Sequence, residues 1–223
     1  QTRISFSIPP ASRGNLDEAA RHLEPEPGQH LLLELDVTDR AAFARAADRA
    51  EQQFGHVHLL CNNAGIGSGP AMLTATFEDW DRMIGINLMG VVNGVVTFVP
   101  RILAHGEGGY IVNTSSTSAI AGHPWTVSYS ASKGGVYALT QCLAVEFGKQ
   151  GVRCNSVAPG SILTPIQNEF RLPEGANVKL IDRITALDKH RGPETVASTI
   201  AFLASDDAAH VNGTRIKVDG GTL

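Results

Sequence analysis

Short aliphatic runs alternate with stretches of helical period along most of the chain. The runs are His30–Leu35, Val57–Cys61, Tyr110–Asn113, Val152–Val157 and Arg215–Val218, each bounded by glycine, asparagine or charge, and they read as strands. Between them Ala42, Phe43, Ala46, Ala47, Ala50 and Phe54 recur at i, i+3, i+4 spacing, with Gly55 as a stop. A longer stripe runs through Trp80, Met83, Ile84, Asn87, Leu88, Val91, Val92, Val95, Phe98 and Val99, and is expected to end at Pro100 or soon after. A third helix is predicted from about Tyr129 to Phe147, ending at Gly148, and a fourth over Glu194–Leu203 with Pro193 near its first turn. Strands that alternate with long helices pair in parallel through crossovers. The expected fold is therefore α/β, a doubly wound parallel sheet with helices on both faces, in a single domain over 1–223. Leu163–His190, with Pro165, Pro173 and Gly175, shows little periodicity and reads as a mobile insertion.

The beginning of the chain departs from this pattern. Thr2–Ile8 has strand character, but Pro9-Pro10 follows where an open α/β fold places a glycine turn. Asn15–Leu23 predicts a short helix, and Pro25 and Pro27 break the chain before His30. A nucleotide-binding βαβ unit presents G-x-G-x-x-G or a relative at the start of its first helix; neither that spacing nor G-x-x-x-G-x-G occurs.

Composition narrows the function. With 43% apolar and 18% charged residues in 223, the chain can bury a core. A net charge of −4 argues against nucleic acid as a partner. Three cysteines, Cys61, Cys142 and Cys154, form no CxxC, so neither a disulfide framework nor a thiolate metal site is expected, and a reducing cytoplasm fits. The apolar stretch Ile84–Val99 contains Asn87 and Asn93 and falls short of the roughly 20 residues of a membrane span. Gln1–Pro10 is too short and polar for a signal peptide, and a soluble cytoplasmic protein without a membrane partner is expected. The eight histidines show no H-x-x-x-H or HExxH; His56-x-His58 flanks a strand start and reads as structural, so no metal is expected.

The sharpest chemical signal is Tyr129-Ser-Ala-Ser-Lys133. A spacing of four puts phenol and ammonium on one helix face, where they share a ligand or merely touch in solvent. Ser116 follows the strand Tyr110–Asn113, at the carboxyl end where open α/β sheets bind ligands; ordinary turn chemistry would also put serine there. Asn87 interrupts an apolar stripe and needs hydrogen-bond partners, as a core asparagine or as part of a site. Asn62-Asn63-Ala64-Gly65 follows the strand Val57–Cys61, again at a carboxyl end, and alone would be a plain glycine turn.

Together these pieces resemble the short-chain dehydrogenase/reductase family. The resemblance runs from Leu31 to Gly221 through Asp36-Val37, Asn62-Asn63-Ala64-Gly65, Asn87 in Ile-Asn-Leu-Met-Gly, Ser116, Tyr129 with Lys133, Pro159-Gly160 and Val218-Asp219-Gly220-Gly221. It implies a Rossmann-type domain and hydride transfer between NAD(P) and a secondary alcohol or ketone. Tyr129 would be the acid/base, with Lys133 lowering a phenol pKa that is ordinarily about 10. Lys133 would also hold the nicotinamide ribose, Ser116 would polarise the substrate oxygen, and Asn87 would hold a proton-relaying water. For the cofactor, the resemblance implies that Asp36 and the Val37 backbone meet adenine, that Asn63, Ala64 and Gly65 line a ribose, and that Ile162 and Thr164, after Pro159-Gly160, bind the carboxamide.

The family's glycine loop is what the sequence lacks. Either Ala11-Ser12-Arg13-Gly14 is its remnant, or Ala11-Ser12-Arg13 ends the second strand. In the latter case Arg13 stands where a cation recognises a 2′-phosphate, which tilts the choice towards NADP over NAD. The family's first strand lies beside Val57–Cys61 at the sheet centre, and losing it would expose two rows of unpaired backbone. The expectation is a segment missing between Pro9 and Asn15 and an intact mass above 23.6 kDa. A homodimer or homotetramer built on the helices from Trp80 and Tyr129 is expected. The alternative function is a cofactor-deficient subunit acting as a scaffold. A serine hydrolase is disfavoured by the absence of a G-x-S-x-G elbow, and epimerase or dehydratase chemistry would reuse the Tyr–Lys pair. The insertion's Ile166, Phe170, Leu172, Val178, Leu180 and Ile181 suit an apolar or amphiphilic small-molecule substrate.

Overall fold

The computed structural model describes residues 3–7, 30–67, 70–170, 172–187 and 189–222. Its strands all pair in parallel. β1 (Arg3–Ser7) lies beside β2 (His30–Glu34), and β3 (Leu59–Asn62), β4 (Gly109–Thr114), β5 (Val152–Pro159) and β6 (Arg215–Val218) form a ladder in that order. Among the described residues no ladder joins β1 or β2 to β3, so β1 does not take the place beside β3 that the resemblance gives to the family's first strand. The expected helix over Asn15–Leu23, the Ala11–Gly14 loop, Arg13 and the expected gap between Pro9 and Asn15 lie outside the described residues.

Strand alternation divides the core into two layers. Ile111 on β4 and Cys154 on β5 point to one face, where they meet Phe43 of α1 (Arg40–Phe54), Phe98 and Ile102 of α3 (Gly90–His105), and Val136 and Leu143 of α4 (Val127–Phe147). Val112 and Val157 point to the other face and pack on Val196 and Leu203 of α5 (Glu194–Leu203). This is the doubly wound arrangement that the alternating pattern predicts.

Local chemistry sets the helix starts. Asp39 caps α1 by accepting from the N–H groups of Ala41 and Ala42 at 2.9 and 3.0 Å. Thr76 and Asp79 form a reciprocal capping box at the start of α2 (Phe77–Ile84). The long stripe differs from expectation in two respects. Gly85–Met89 forms a π-turn between α2 and α3, and the helix continues beyond Pro100 to His105, stopping at Gly106 with φ 70°. Pro100 is exposed, while Ile102 beyond it is completely buried, so core packing holds the helix past the missing N–H. The continuous segment Phe77–His105 has 29 residues, long enough by length and composition to cross a membrane. However, Phe98, Val99 and Ile102 spend its apolar face in the sheet core.

A buried polar chain ties the strand ends to α4. Asn62 Nδ2 donates to Asn113 Oδ1 at 2.8 Å, Asn113 Nδ2 to Thr140 Oγ1 at 2.9 Å, and Thr140 Oγ1 to the Val136 carbonyl at 2.8 Å. Replacing Asn113 by alanine strips two buried partners at once. Stability in urea should fall by about 1–3 kcal/mol, and a change below about 0.5 kcal/mol would show that the chain contributes little.

Candidate active site

The predicted residues gather along one rim, at the carboxyl ends of β2 to β5. Ser115 and Ser116 follow β4. The Ser115 amide donates to the Val157 carbonyl at 2.8 Å and its hydroxyl to the Lys133 carbonyl at 3.0 Å, which fixes α4 against the end of the strand. Ser116 is extended and buried, and its Oγ accepts from the Ser118 N–H at 3.2 Å. Tyr129 and Lys133 lie one turn apart on α4, both buried, and the Ser116 side chain acts on the Tyr129 phenol in favour of its ionised form. Lys133 Nζ stands 5.9 Å from the centre of the Tyr129 ring and donates to the Thr114 carbonyl at 2.9 Å.

The electrostatics correct one expectation. Burial, joined by the Glu169 charge, raises the Tyr129 pKa above that of an ordinary phenol, although the Ser116 side chain opposes the shift. Lys133 does not bring the phenol down here. Its ammonium is aimed at the Thr114 carbonyl, and its own pKa is lowered from 10.5 to about 8 by burial. Tyr129 is thus held as a protonated donor at neutral pH.

Asn87 occupies the π-turn and is completely buried. Its Oδ1 accepts from the Ile66 N–H at 2.8 Å, and its Nδ2 donates to the Ile66 carbonyl at 3.0 Å and to Ser132 Oγ at 3.3 Å. The side-chain amide is therefore committed to protein. Asn87 positions the loop after β3 against α4, and the extra residue of the π-turn aims it there.

The remaining expected residues line the rim. Asp36 is exposed, with one carboxylate oxygen accepting from the Thr38 N–H and hydroxyl at 2.8 Å each. Val37 is buried and its carbonyl accepts from Asn93 Nδ2 at 2.9 Å. Asn63 accepts from the Thr114 hydroxyl at 2.9 Å, and Ala64 packs against the core. A Cβ on Gly65 would lie 3.1 Å from Asn87 Oδ1 and 3.3 Å from Lys133 Nζ, so glycine lets backbone come close to the ammonium. Pro159 ends β5, and Gly160 is so close to Asp219 that a Cβ would fall 2.8 Å from that residue's own. Ile162 bridges to Arg191, and Thr164 Oγ1 donates to the Ile162 carbonyl at 3.3 Å.

Two contacts had no sequence signal because they come from the aperiodic insertion. It contains short 3₁₀ segments at Pro165–Glu169 and Val178–Ile184. Glu169 accepts from the Gly67 N–H at 2.8 Å, and Phe170 sets its ring edge-on to Tyr129 at 5.4 Å. A cleft lined by Ile66, Met83, Glu169, Leu172 and Pro173 lies beside them.

A parallel sheet whose strand ends bring serine, tyrosine and buried lysine together defines a dinucleotide-dependent oxidoreductase. The chain belongs to the short-chain dehydrogenase/reductase family. Residues 10–222 match the family model described as enoyl-(acyl carrier protein) reductase. The chain is 39% identical to the 3-oxoacyl-[acyl-carrier-protein] reductase of Thermotoga maritima over 212 residues, 95% of this chain and 85% of that protein. It is 37% identical to the meso-2,3-butanediol dehydrogenase of Serratia marcescens, over 87% of this chain and 75% of that one. The crystal structure of 3-ketoacyl-(acyl-carrier-protein) reductase from Brucella melitensis complexed with NADH superposes with a TM-score of 0.86 at 27% identity, covering 98% of this chain and 86% of the other. The protein is an NAD(P)-dependent oxidoreductase that moves hydride between the cofactor and an alcohol or ketone.

Proposed function

We propose that the chain reduces a ketone with an apolar or amphiphilic body, with Tyr129 as proton donor, Ser116 as the group that polarises the carbonyl oxygen, and Lys133 as the cation that holds the cofactor ribose. The observation that carries this reading is the convergence of buried Ser116, Tyr129 and Lys133 at the ends of β4 and α4. A nicotinamide dinucleotide fits the rim because Gly65 leaves open the space next to Lys133 that a side chain would fill. Such a cofactor supplies or accepts the hydride. The protein's own part is the proton and the placement. As negative charge develops on the substrate oxygen, Ser116 donates to it and Tyr129 delivers its proton. A phenol pKa raised by burial favours that direction at neutral pH, and oxidation of the alcohol should accelerate as pH rises.

Asp36, Val37, Asn63, Ala64 and Gly65 would contact the adenosine half, and Pro159, Gly160, Ile162 and Thr164 the nicotinamide half. NADP is the proposed cofactor, on the cationic Arg13 and the lack of an acid beside it in the sequence. Phe170, Leu172 and Met83 would face the body of the substrate. A panel of ketones and secondary alcohols, assayed with both cofactors by nicotinamide absorbance, tests the reading. Consumption of reduced cofactor with some ketones, faster with NADPH, is expected. No binding of either cofactor, with no turnover on any carbonyl, would favour the cofactor-deficient scaffold.

Assembly is proposed through the outer faces of α3 and α4. Val96 and Val145 stand 67% and 85% exposed there, and Ala131 and Ala138 are small and exposed. Two other small residues of α4 face inward instead. Ser132 is completely buried, and a Cβ on Gly135 would meet Leu88 at 2.9 Å, so these two pack within the chain. Light scattering should find a dimer or tetramer, and Val145→Glu should shift it towards monomer; a wild-type monomer at micromolar concentration would refute the proposal.

A further inference from the structure

At the opposite end of the sheet, away from the hydride chemistry, four metal-ligating side chains converge. His56 and His58 lie in the turn entering β3. His105 ends α3, and Glu107 sits between Gly106 and Gly108, whose φ values of 70° and 77° fold the chain back into β4. Two ligand pairs of identical spacing, His-x-His and His-x-Glu, thus face each other from adjacent strand entrances. The Tyr110 N–H, donating to the His58 carbonyl at 2.7 Å, fixes the two segments in register.

We propose that His56, His58, His105 and Glu107 form a binding site for one divalent transition-metal ion, with zinc as its ligand of choice. One donor atom from each residue lies within 4.8 Å of all the others. Tetrahedral zinc with bonds of about 2.0–2.1 Å needs donors about 3.4 Å apart. Glu107 already lies 3.0 Å from His56 Nδ1 and 2.6 Å from His58 Nε2, one carboxylate oxygen to each, so these distances and the 4.8 Å limit bracket the requirement. His56, His58 and Glu107 are each about half exposed, so their rotamers can adjust without disturbing the core and an ion can enter from solvent. His105 is held on both sides, its Nε2 by the Val57 carbonyl and its Nδ1 by the Glu107 N–H, each at 3.2 Å. On binding, one nitrogen turns to the metal and the other keeps its backbone partner, the kind of contact that orients ligating imidazoles. Three neutral imidazoles and one carboxylate suit a borderline ion, whereas the hard ions calcium and magnesium want oxygen ligands.

Such an ion would staple the entrances of β3 and β4 and the end of α3. It binds the folded chain alone, so it raises stability and leaves hydride transfer unaltered. The test uses untagged full-length protein stripped with chelator, titrated with Co²⁺ as a spectroscopic probe and with Zn²⁺ in competition. One ion per chain is expected, with the visible bands of tetrahedral Co²⁺ and a rise in melting temperature on adding zinc. His105→Ala and Glu107→Gln should each weaken binding at least about tenfold. The double variant His56→Ala/His58→Ala should abolish the bands while keeping wild-type ketone reduction, which shows that it is folded. No stoichiometric ion in the wild type, or binding unchanged in the double variant, would overturn the proposal and leave these residues as a hydrogen-bonded turn.

Discussion

Tyr129→Phe should lower turnover by roughly two to four orders of magnitude while cofactor affinity changes little, because positioned acid–base catalysis contributes about that much. The substitution keeps the ring, and with it the edge-on contact to Phe170 at 5.4 Å, so packing over the site survives. What disappears is the O–H proposed to carry the transferable proton. Steady-state kinetics with the best ketone from the panel, together with fluorescence titration of reduced cofactor, separates the two effects. A variant retaining most of its turnover would remove Tyr129 from the mechanism.

Lys133→Met should show two opposite effects. Turnover and cofactor affinity should fall together, by about a hundredfold or more in kcat/KM, because the variant loses the buried cation proposed to hold the cofactor ribose. Stability at pH 7 should rise. The folded-state pKa of about 8 lies below the ordinary 10.5, so between those values the unfolded chain binds more protons than the folded one. Stability therefore increases with pH through that window, and the buried charge costs most below it. Relief of that cost, less the lost bond to the Thr114 carbonyl, should add about 1–3 kcal/mol. Denaturant titration of both proteins at pH 7 and pH 10 measures it. The advantage of the variant should shrink at the higher pH. A variant that is less stable than wild type at both pH values would mean that Lys133 is a structural residue.

Much of this was legible in the chain because the informative signals are local. β6 and α5 lie at the predicted boundaries, since Arg215 and Asp219 bracket the β-branched run of one and Pro193 opens the other. The Tyr129–Lys133 spacing is one helical turn, and its meaning survives folding intact. The failures have equally specific causes. Pro100 reads as a helix stop, but burial of Ile102 outweighs one missing hydrogen bond. The π-turn at Gly85–Met89 keeps the apolar stripe nearly in phase, so periodicity does not reveal it. Asn87 can be recognised from its polarity amid the stripe, yet its partner, the Ile66 backbone, is set by tertiary packing. The direction of the Tyr129 shift depends on depth of burial and on Glu169, contributed by an aperiodic loop. His105 and Glu107 join His56 and His58 only because β3 and β4 are neighbours.

The most direct test of the central claim is to follow the hydride itself. Wild-type protein, reduced nicotinamide cofactor carrying deuterium on the transferred C4 position, and a ketone that it turns over are incubated in ordinary water. The alcohol product is then examined by mass spectrometry and NMR. Direct transfer at the Ser116–Tyr129–Lys133 site predicts one deuterium, on the carbinol carbon, of a single configuration. The same experiment with Tyr129→Phe should yield product of the same labelling pattern at a greatly reduced rate. Product without deuterium from either face of C4, or labelled at a carbon other than the former carbonyl, would contradict the account.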